Sequence, residues 1–224
     1  MENGEIWSHL NKPLEDHLLG TYKIAQGIAK NCGLVLNNKE SIALALHDVA
    51  KAHAQFKKKL KTGRGKFGHA EPSSALVFSL THDLICTEAV RRHHGALLNF
   101  PSDVFKFWEE WEWDQTKKNL ISQLPWWPGA NNINELLELD ISAWSDLIPS
   151  EDEWEDIITA SIYNDESEQS SDGWLRMRTL FSLLVAADRI EAISGQSFPF
   201  EKLKFDRGRF EAYLQRLNQT KLAS

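Results

Sequence analysis

Apolar residues recur at intervals of three and four along most of this 224-residue chain, and no stretch alternates apolar and polar residues as a half-buried strand does. The first apolar stripe starts after Pro13 and stops before Gly33, two residues that are typical of the start and the end of a helix. The spacing therefore predicts an all-α helical bundle, and the length predicts a single domain over residues 1–224.

Capping and breaking residues mark the helices that follow. We expect a second helix over residues 38–60. A third helix opens at Pro72, and Asp83 caps a fourth helix that ends at Gly95.

The second half of the chain is also predicted to be helical. Ser150 and Glu153 form a capping box at the start of one helix. Apolar spacing predicts three more helices, over residues 102–113, 174–194 and 206–222.

Charge is divided unevenly along the chain. The formal net charge of −7 by itself argues against a nucleic-acid-binding protein. Residues 103–172, however, hold 18 acidic and 3 basic residues, a net charge of −15, so the rest of the chain carries +8. The same segment holds seven of the nine tryptophans: Trp108, Trp111, Trp113, Trp126, Trp127, Trp144 and Trp154. We interpret it as an acidic, Trp-rich helical insertion, whose tryptophans form either a small core of their own or a docking surface for a protein partner.

The sequence lacks a membrane-spanning run, an N-terminal targeting pattern and Cys-x-x-Cys spacing. No apolar run reaches the ~18 residues that span a bilayer, and no basic stretch followed by an apolar one opens the chain. The sequence therefore predicts a cytoplasmic protein that does not bind a membrane. Cys32 and Cys86 lack Cys-x-x-Cys spacing, which indicates neither a disulfide framework nor a cysteine zinc site.

Five of the eight histidines stand in sequence order with two aspartates, and imidazole and carboxylate are ligands for divalent transition metals. The candidate ligands are His17, His47, Asp48, His69, His93, His94 and Asp188. On one helix, His47 and Asp48 would point about 100° apart. Either each faces a different metal, or Asp48 bridges both. Two metals that share a carboxylate suit phosphate-ester hydrolysis.

The segment His47-Asp48-Val49-Ala50-Lys51 resembles the H-D-x-G-K signature of the HD phosphohydrolase superfamily, with Ala50 in place of the glycine. The order of all seven candidate ligands is similar to one branch of it, the HD nuclease domain of the CRISPR-associated helicase–nuclease of type I systems. Residues 92–95 (Arg-His-His-Gly) and 184–189 (Leu-Val-Ala-Ala-Asp-Arg) resemble motifs of that branch. The resemblance covers residues 10–195.

The resemblance implies a dinuclear centre. One metal would take His17, His47, Asp48 and Asp188, and the other would take Asp48, His69, His93 and His94. The histidine-rich shell favours two divalent transition-metal ions (iron, manganese, nickel or cobalt), with magnesium as an alternative. Asp48 and Lys51 would be the catalytic residues, with Lys51 neutralising charge that develops on the phosphate.

A run of positive charge follows Lys51, without an acidic residue in it. The candidate nucleic-acid-binding residues are Lys57, Lys58, Lys59, Lys61, Arg64 and Lys66. Such side chains supply sequence-independent affinity for phosphates, and Phe56 and Phe67 are candidate stacking faces for bases. The alternative is that the run is only a solvated helix face.

The resemblance implies a hydrolase that cleaves phosphodiester bonds of single-stranded DNA in CRISPR interference, which is antiviral defence. It also implies, as partners, a helicase domain or subunit and the CRISPR surveillance complex. The first alternative is an HD phosphohydrolase for a nucleotide or cyclic dinucleotide, which needs a closed pocket rather than an open groove. The second is a non-catalytic HD module, which normally goes with missing ligands, whereas none of the seven is missing here.

Overall fold

The computed structural model describes residues 6–9, 12–64, 68–98, 102–109, 131–138, 149–163 and 171–194. In chain order the elements are β1 (Trp7–His9), β2 (Lys12–Pro13), α1 (Leu14–Asn31), α2 (Asn38–Leu46), a 3₁₀ helix (Val49–Ala52), α3 (Ala54–Thr62), α4 (Ala70–Thr81), α5 (Leu84–Arg92), α6 (Ser102–Glu109), α7 (Asn131–Leu137), α8 (Glu151–Tyr163) and α9 (Ser171–Ser194). The all-α prediction is confirmed. Its one exception in the described ranges is a short antiparallel pair, β1 with β2, ahead of α1.

Side-chain caps begin several of these helices where the sequence predicts them. The Asp83 carboxylate accepts the N–H of Cys86 at 2.9 Å, and Ser150 and Glu153 exchange hydrogen bonds as a capping box. At α2 the cap is Asn37, one residue before the predicted start, and its partner is Glu40. The boundaries of these helices therefore follow from local hydrogen bonding.

The predicted helix over residues 38–60 is wrong, because the chain leaves the helical path twice within it. α2 ends at Leu46. The N–H of Ala50 then donates to the buried hydroxyl of Ser73 at 3.0 Å. His53 is extended (ψ 140°), and its Nδ1 accepts the N–H of Gln55 at 2.9 Å. Side-chain acceptors thus replace helical carbonyls at both breaks.

The main hydrophobic core lies between helices that are distant in sequence. Leu18 of α1, Leu44 of α2, Val90 of α5 and Leu184 of α9 are each at most 1% exposed and belong to one cluster. The first and last described helices therefore pack together, with α2 and α5 beside them. None of the described helices is long and apolar enough to cross a membrane.

Where it is described, the acidic segment packs onto the rest of the protein. Ile133 of α7 is fully buried in the main core. Trp154 of α8 is 2% exposed, and its ring lies 4.7 Å from that of Phe78 in α4, centroid to centroid. Trp154 therefore belongs to a core that α4 shares and not to a separate core of the acidic segment; for the other six tryptophans the expectation stays a prediction.

Some predictions concern parts of the chain outside the described residues. They are the side chain of Trp108, residues Trp111, Trp113, Trp126, Trp127 and Trp144, Lys66 and Phe67 of the basic run, and the helix over 206–222. The limits 1–224 for the domain and 103–172 for the insertion stay predictions.

Candidate metal centre

The seven predicted ligands lie together in two groups that share one residue. In each group, one nitrogen or oxygen atom per residue lies within 4.8 Å of those of the others. The first group is His17, His47, Asp48 and Asp188, and the second is Asp48, His69, His93 and His94. They come from α1, the turn after α2, the residue before α4, the end of α5, and α9.

Asp48 directs its two carboxylate oxygens to different groups. Oδ2 lies 3.0 Å from Nε2 of His17 and 3.6 Å from Nε2 of His47. Oδ1 lies 2.9 Å from Nε2 of His69 and 3.2 Å from Nε2 of His93. Of the two arrangements that the sequence left open, the geometry favours a bridging Asp48.

The buried histidines turn their Nε2 atoms toward the centre because their Nδ1 atoms are engaged elsewhere. Nδ1 of His47 lies 3.1 Å from the carbonyl oxygen of Leu44, and Nδ1 of His93 lies 2.6 Å from that of Val90. A carbonyl oxygen only accepts, so each Nδ1 carries the proton and each Nε2 offers a lone pair. Outer hydrogen bonds of this kind fix the tautomer of metal-ligating histidines.

Several buried atoms at the centre lie close to one another but are not aligned to form hydrogen bonds with the described residues. They include Nε2 of His47, Oδ1 of Asp48 and Nε2 of His93. Buried polar atoms are ordinarily paired, and lone pairs that converge on a shared carboxylate are suited to a divalent transition metal. The donor set therefore fits the metals that the sequence predicts, although the ligand roles themselves stay predictions.

The charge state of the centre also suits a cation. Burial alone would raise the pKa of Asp48, but positive charge on His47, His69 and Lys51 holds that pKa well below its ordinary value. Burial lowers the pKa of His47, and burial with His93 and His69 lowers that of His94 to about 4. Burial also opposes charge on His17 and His93, but their hydrogen bonds to the Asp48 carboxylate raise the pKa of each, so binding of a metal there would displace a proton. An ionised carboxylate and neutral imidazoles are the forms that bind metals.

Lys51 is 5% exposed, and its Nζ lies 2.5 Å from Oδ2 of Asp48. It lies in the 3₁₀ helix and not, as the predicted helix over residues 38–60 required, one turn beyond His47 on a continuous α-helix. Its ammonium also lies 5.7 Å from the ring centroid of Phe56. Lys51 thus contacts the shared carboxylate directly, and its catalytic role stays a prediction.

The second group opens toward solvent. His94 is exposed, whereas His17, His47 and Asp48 are fully buried. Nε2 of His94 lies 2.8 Å from Nε2 of His69, the half-buried residue that precedes α4. A substrate would therefore approach from the side of these two histidines.

The basic helix α3 begins beside this opening. Lys57, Lys58 and Lys61 are exposed, as is Arg64 after the helix, and Lys59 is half-buried. The ring of Phe56, in the first turn, lies 5.6 Å from that of His69, centroid to centroid. Phe56 is only 6% exposed, so the idea that it stacks on bases is wrong. It anchors α3 instead.

Glu191 is a site residue that the sequence reasoning missed. It is fully buried on α9, one turn after Asp188, with Oε2 2.5 Å from Nδ1 of His17. Its Oε1 pairs with the ammonium of Lys12. Gly20 makes room for it, because a Cβ there would lie 2.9 Å from Cγ of Glu191. The i, i+3 spacing from Asp188 was the one signal available.

His9 is a second residue that the sequence reasoning set aside. The β1–β2 pair places its ring 5.1 Å from that of His17, centroid to centroid. Burial, with positive charge on Lys51 and His17, lowers the pKa of His9 to about 4. His9 is therefore a neutral side chain at the rim of the first group.

The HD domain family model matches residues 14–124. Residues 14–124 are therefore similar to an HD domain. The match includes six of the seven predicted ligands and ends before Asp188. It supports membership of the HD phosphohydrolase superfamily and, with the His/Asp cluster, a metal-dependent hydrolase. No curated protein and no solved structure matches the chain.

Proposed function

We propose that this protein is a metal-dependent nuclease that cleaves single-stranded DNA in CRISPR interference. The observation that carries the proposal is the position of Asp48, which presents one carboxylate oxygen to each ligand group. When bound, a metal pair at such a site supplies Lewis-acid stabilisation of the attacking and leaving oxygens in phosphodiester hydrolysis. The resemblance described above supplies the pathway and the single-stranded substrate.

The residues around Asp48 keep it available for this chemistry. The Lys51 ammonium and the nearby imidazoles keep the carboxylate ionised. The outer hydrogen bonds of His47 and His93 hold their rings with Nε2 inward. The centre is therefore organised before a substrate arrives, which lowers the reorganisation that the reaction requires.

The surroundings of the centre favour a polymer over a small enclosed nucleotide. A strand continues on both sides of its scissile phosphate, so it needs an open approach and charges that follow its backbone. His94 is exposed at the opening, and α3 extends from beside His69 with Lys57, Lys58 and Lys61 in solvent. A nucleotide or cyclic dinucleotide, by contrast, has only a few phosphates and does not need positive charge along a whole helix.

The direct test is incubation with circular single-stranded DNA and Mn²⁺, Co²⁺, Ni²⁺ or Mg²⁺, followed by gel electrophoresis. We expect fragments with at least one of these metals and none from Asp48→Ala. Asp156→Ala, which alters an exposed aspartate of α8, serves as the matched control and keeps wild-type cleavage. If the protein hydrolyses a cyclic dinucleotide but leaves the DNA intact with each of the four metals, the nuclease proposal is wrong and the protein is a nucleotide phosphohydrolase.

The basic helix is tested by charge removal. Replacing Lys57, Lys58 and Lys59 by alanine ought to weaken oligonucleotide binding and flatten its salt dependence, by about 0.7 in log–log slope for each phosphate that the variant no longer binds. The double variant Lys23→Ala/Lys30→Ala removes exposed charge from α1 instead and is expected to bind as the wild type does. Equal effects in the two variants would mean that α3 is only a solvated face.

The partners belong to the same proposal. We expect a helicase domain or subunit, together with the CRISPR surveillance complex, to supply the single strand. Duplex DNA then becomes a substrate only when those components are added to the cleavage reaction.

A further inference from the structure

A cavity of about 350 Å³ lies between α9 and the loop that follows the double histidine. Gly95, the residue after His94, is part of its lining, and Leu97 and Leu98 of the same loop are half-buried against the protein. The opposite side is formed by side chains of α9: Trp174, Met177, Arg178, Phe181 and Ser182. The volume is near the lower end of the range for ligand pockets, which suits one flat ring system rather than a large ligand.

Trp174 and Arg178 form a cation–π pair in this lining. The guanidinium carbon of Arg178 lies 4.6 Å from the ring centroid of Trp174. Trp174 is 39% exposed although tryptophan is costly to leave in water, and Arg178 is exposed too. An aromatic face beside a guanidinium is the combination that binds single-stranded nucleic acid, because the ring stacks on a base and the cation meets a phosphate.

Residues of the cavity and one candidate metal ligand lie on the same face of α9. Trp174, Phe181 and Asp188 follow one another at intervals of seven residues, which keeps them within about 40° on a helix. Asp188 therefore lies about 10 Å along the axis from Phe181 and about 21 Å from Trp174. Gly95 connects the other side of the cavity to His94 directly through the backbone.

We propose that this cavity is a base-binding subsite of the substrate strand, in which Trp174 stacks on an unpaired nucleobase and Arg178 contacts an adjacent phosphate. The subsite rests on the proposed nuclease function. A strand held there would run past His94 toward α3, so the scissile phosphate would be fixed from both sides.

The test measures binding of fluorescein-labelled (dT)₁₂ by anisotropy, with EDTA present to prevent hydrolysis. Loss of one stacked base predicts about a 5- to 150-fold increase in Kd for Trp174→Ala, with an unchanged salt slope. Arg178→Ala is expected to lower the slope by about 0.7, because the variant binds one phosphate fewer. Leu175→Ala, an exposed neighbour on a different face of α9, is the matched control and retains the wild-type Kd and slope.

Rates of hydrolysis distinguish a failure of the proposed subsite from a failure of the proposed nuclease function. The kcat/KM for (dT)₁₂, divided by that for bis(p-nitrophenyl) phosphate with Mn²⁺, is expected to fall about 5- to 150-fold in Trp174→Ala. If both variants match the wild type while circular DNA is cleaved, the subsite is refuted and the nuclease stands. If the wild type hydrolyses the small diester but neither binds nor cleaves DNA, both proposals fail.

Discussion

Gly20→Ala tests whether Glu191 holds His17 in place. In the interior of α1, alanine is normally more favourable than glycine by roughly 0.5–1 kcal/mol. Here the new Cβ would lie 2.9 Å from Cγ and from Oε1 of Glu191, closer than such contacts allow. The Glu191 side chain cannot move away without loosening its bonds to His17 and Lys12.

The change in the free energy of unfolding is the sum of these two opposing effects. Overpacking in a buried site costs about 1–3 kcal/mol, so Gly20→Ala is expected to destabilise the protein or at best leave it unchanged. In a Glu191→Ala background the obstacle is gone, and the same substitution ought to stabilise by roughly 0.5–1 kcal/mol. The coupling energy between the two positions is therefore about 1–3 kcal/mol.

Urea denaturation of the four proteins in this cycle, followed by circular dichroism, gives the coupling energy. Calorimetric titration with Mn²⁺ adds a second readout, because loss of a residue that orients a ligand typically lowers metal affinity about 10- to 100-fold. We expect both Glu191→Ala and Gly20→Ala to show that loss. Equal stabilisation by Gly20→Ala in both backgrounds, with undiminished metal affinity, would refute the role of Glu191.

Three further predictions concern the metal centre and the second core. Asp48→Ala ought to lose metal from both ligand groups, so elemental analysis of the purified variant should find no divalent metal. If the variant keeps part of its metal, Asp48 is not shared between the two groups. Metal at 100 times its Kd is expected to raise the free energy of unfolding by about 2.7 kcal/mol in urea titrations, with no increase in Asp48→Ala. Trp154→Ala ought to destabilise the protein by about 3–5 kcal/mol, against less than about 0.5 kcal/mol for the exposed control Ile193→Ala. A small effect at Trp154 would show that α8 does not depend on the core it shares with α4.

The sequence was sufficient for features that are set locally or by a recognisable residue order. Apolar spacing and capping residues predicted α1, α5 and α8 closely, because these helices begin at Pro13, Asp83 and Ser150, whose effects are local. α4 begins at Ala70, two residues before the predicted start at Pro72. The seven candidate ligands could be selected because their order along the chain is itself the signal.

The rest depended on contacts between residues far apart in the sequence. The break in the predicted helix over 38–60 involves Ser73, whose hydroxyl takes the N–H of Ala50. Glu191 was missed because its burial depends on a contact with His17, which is 174 residues away in the chain. The prediction for Phe56 was wrong for the same reason, since its contacts with His69 and Lys51 cannot be read from the sequence. Propensity and spacing carry no information about such partners.

The two ligand groups differ in how much of the chain each must gather. All members of the second group lie between Asp48 and His94, whereas the first needs His17 from α1 and Asp188 from α9. Closing the longer loop costs about 1 kcal/mol more in chain entropy. During synthesis from the N-terminus, the second group is complete long before α9 emerges. The ligands of the second group are therefore all synthesised before α9, but the pocket that holds them needs α9, because Leu180 and Leu184 of α9 share the main core with α1 and α5.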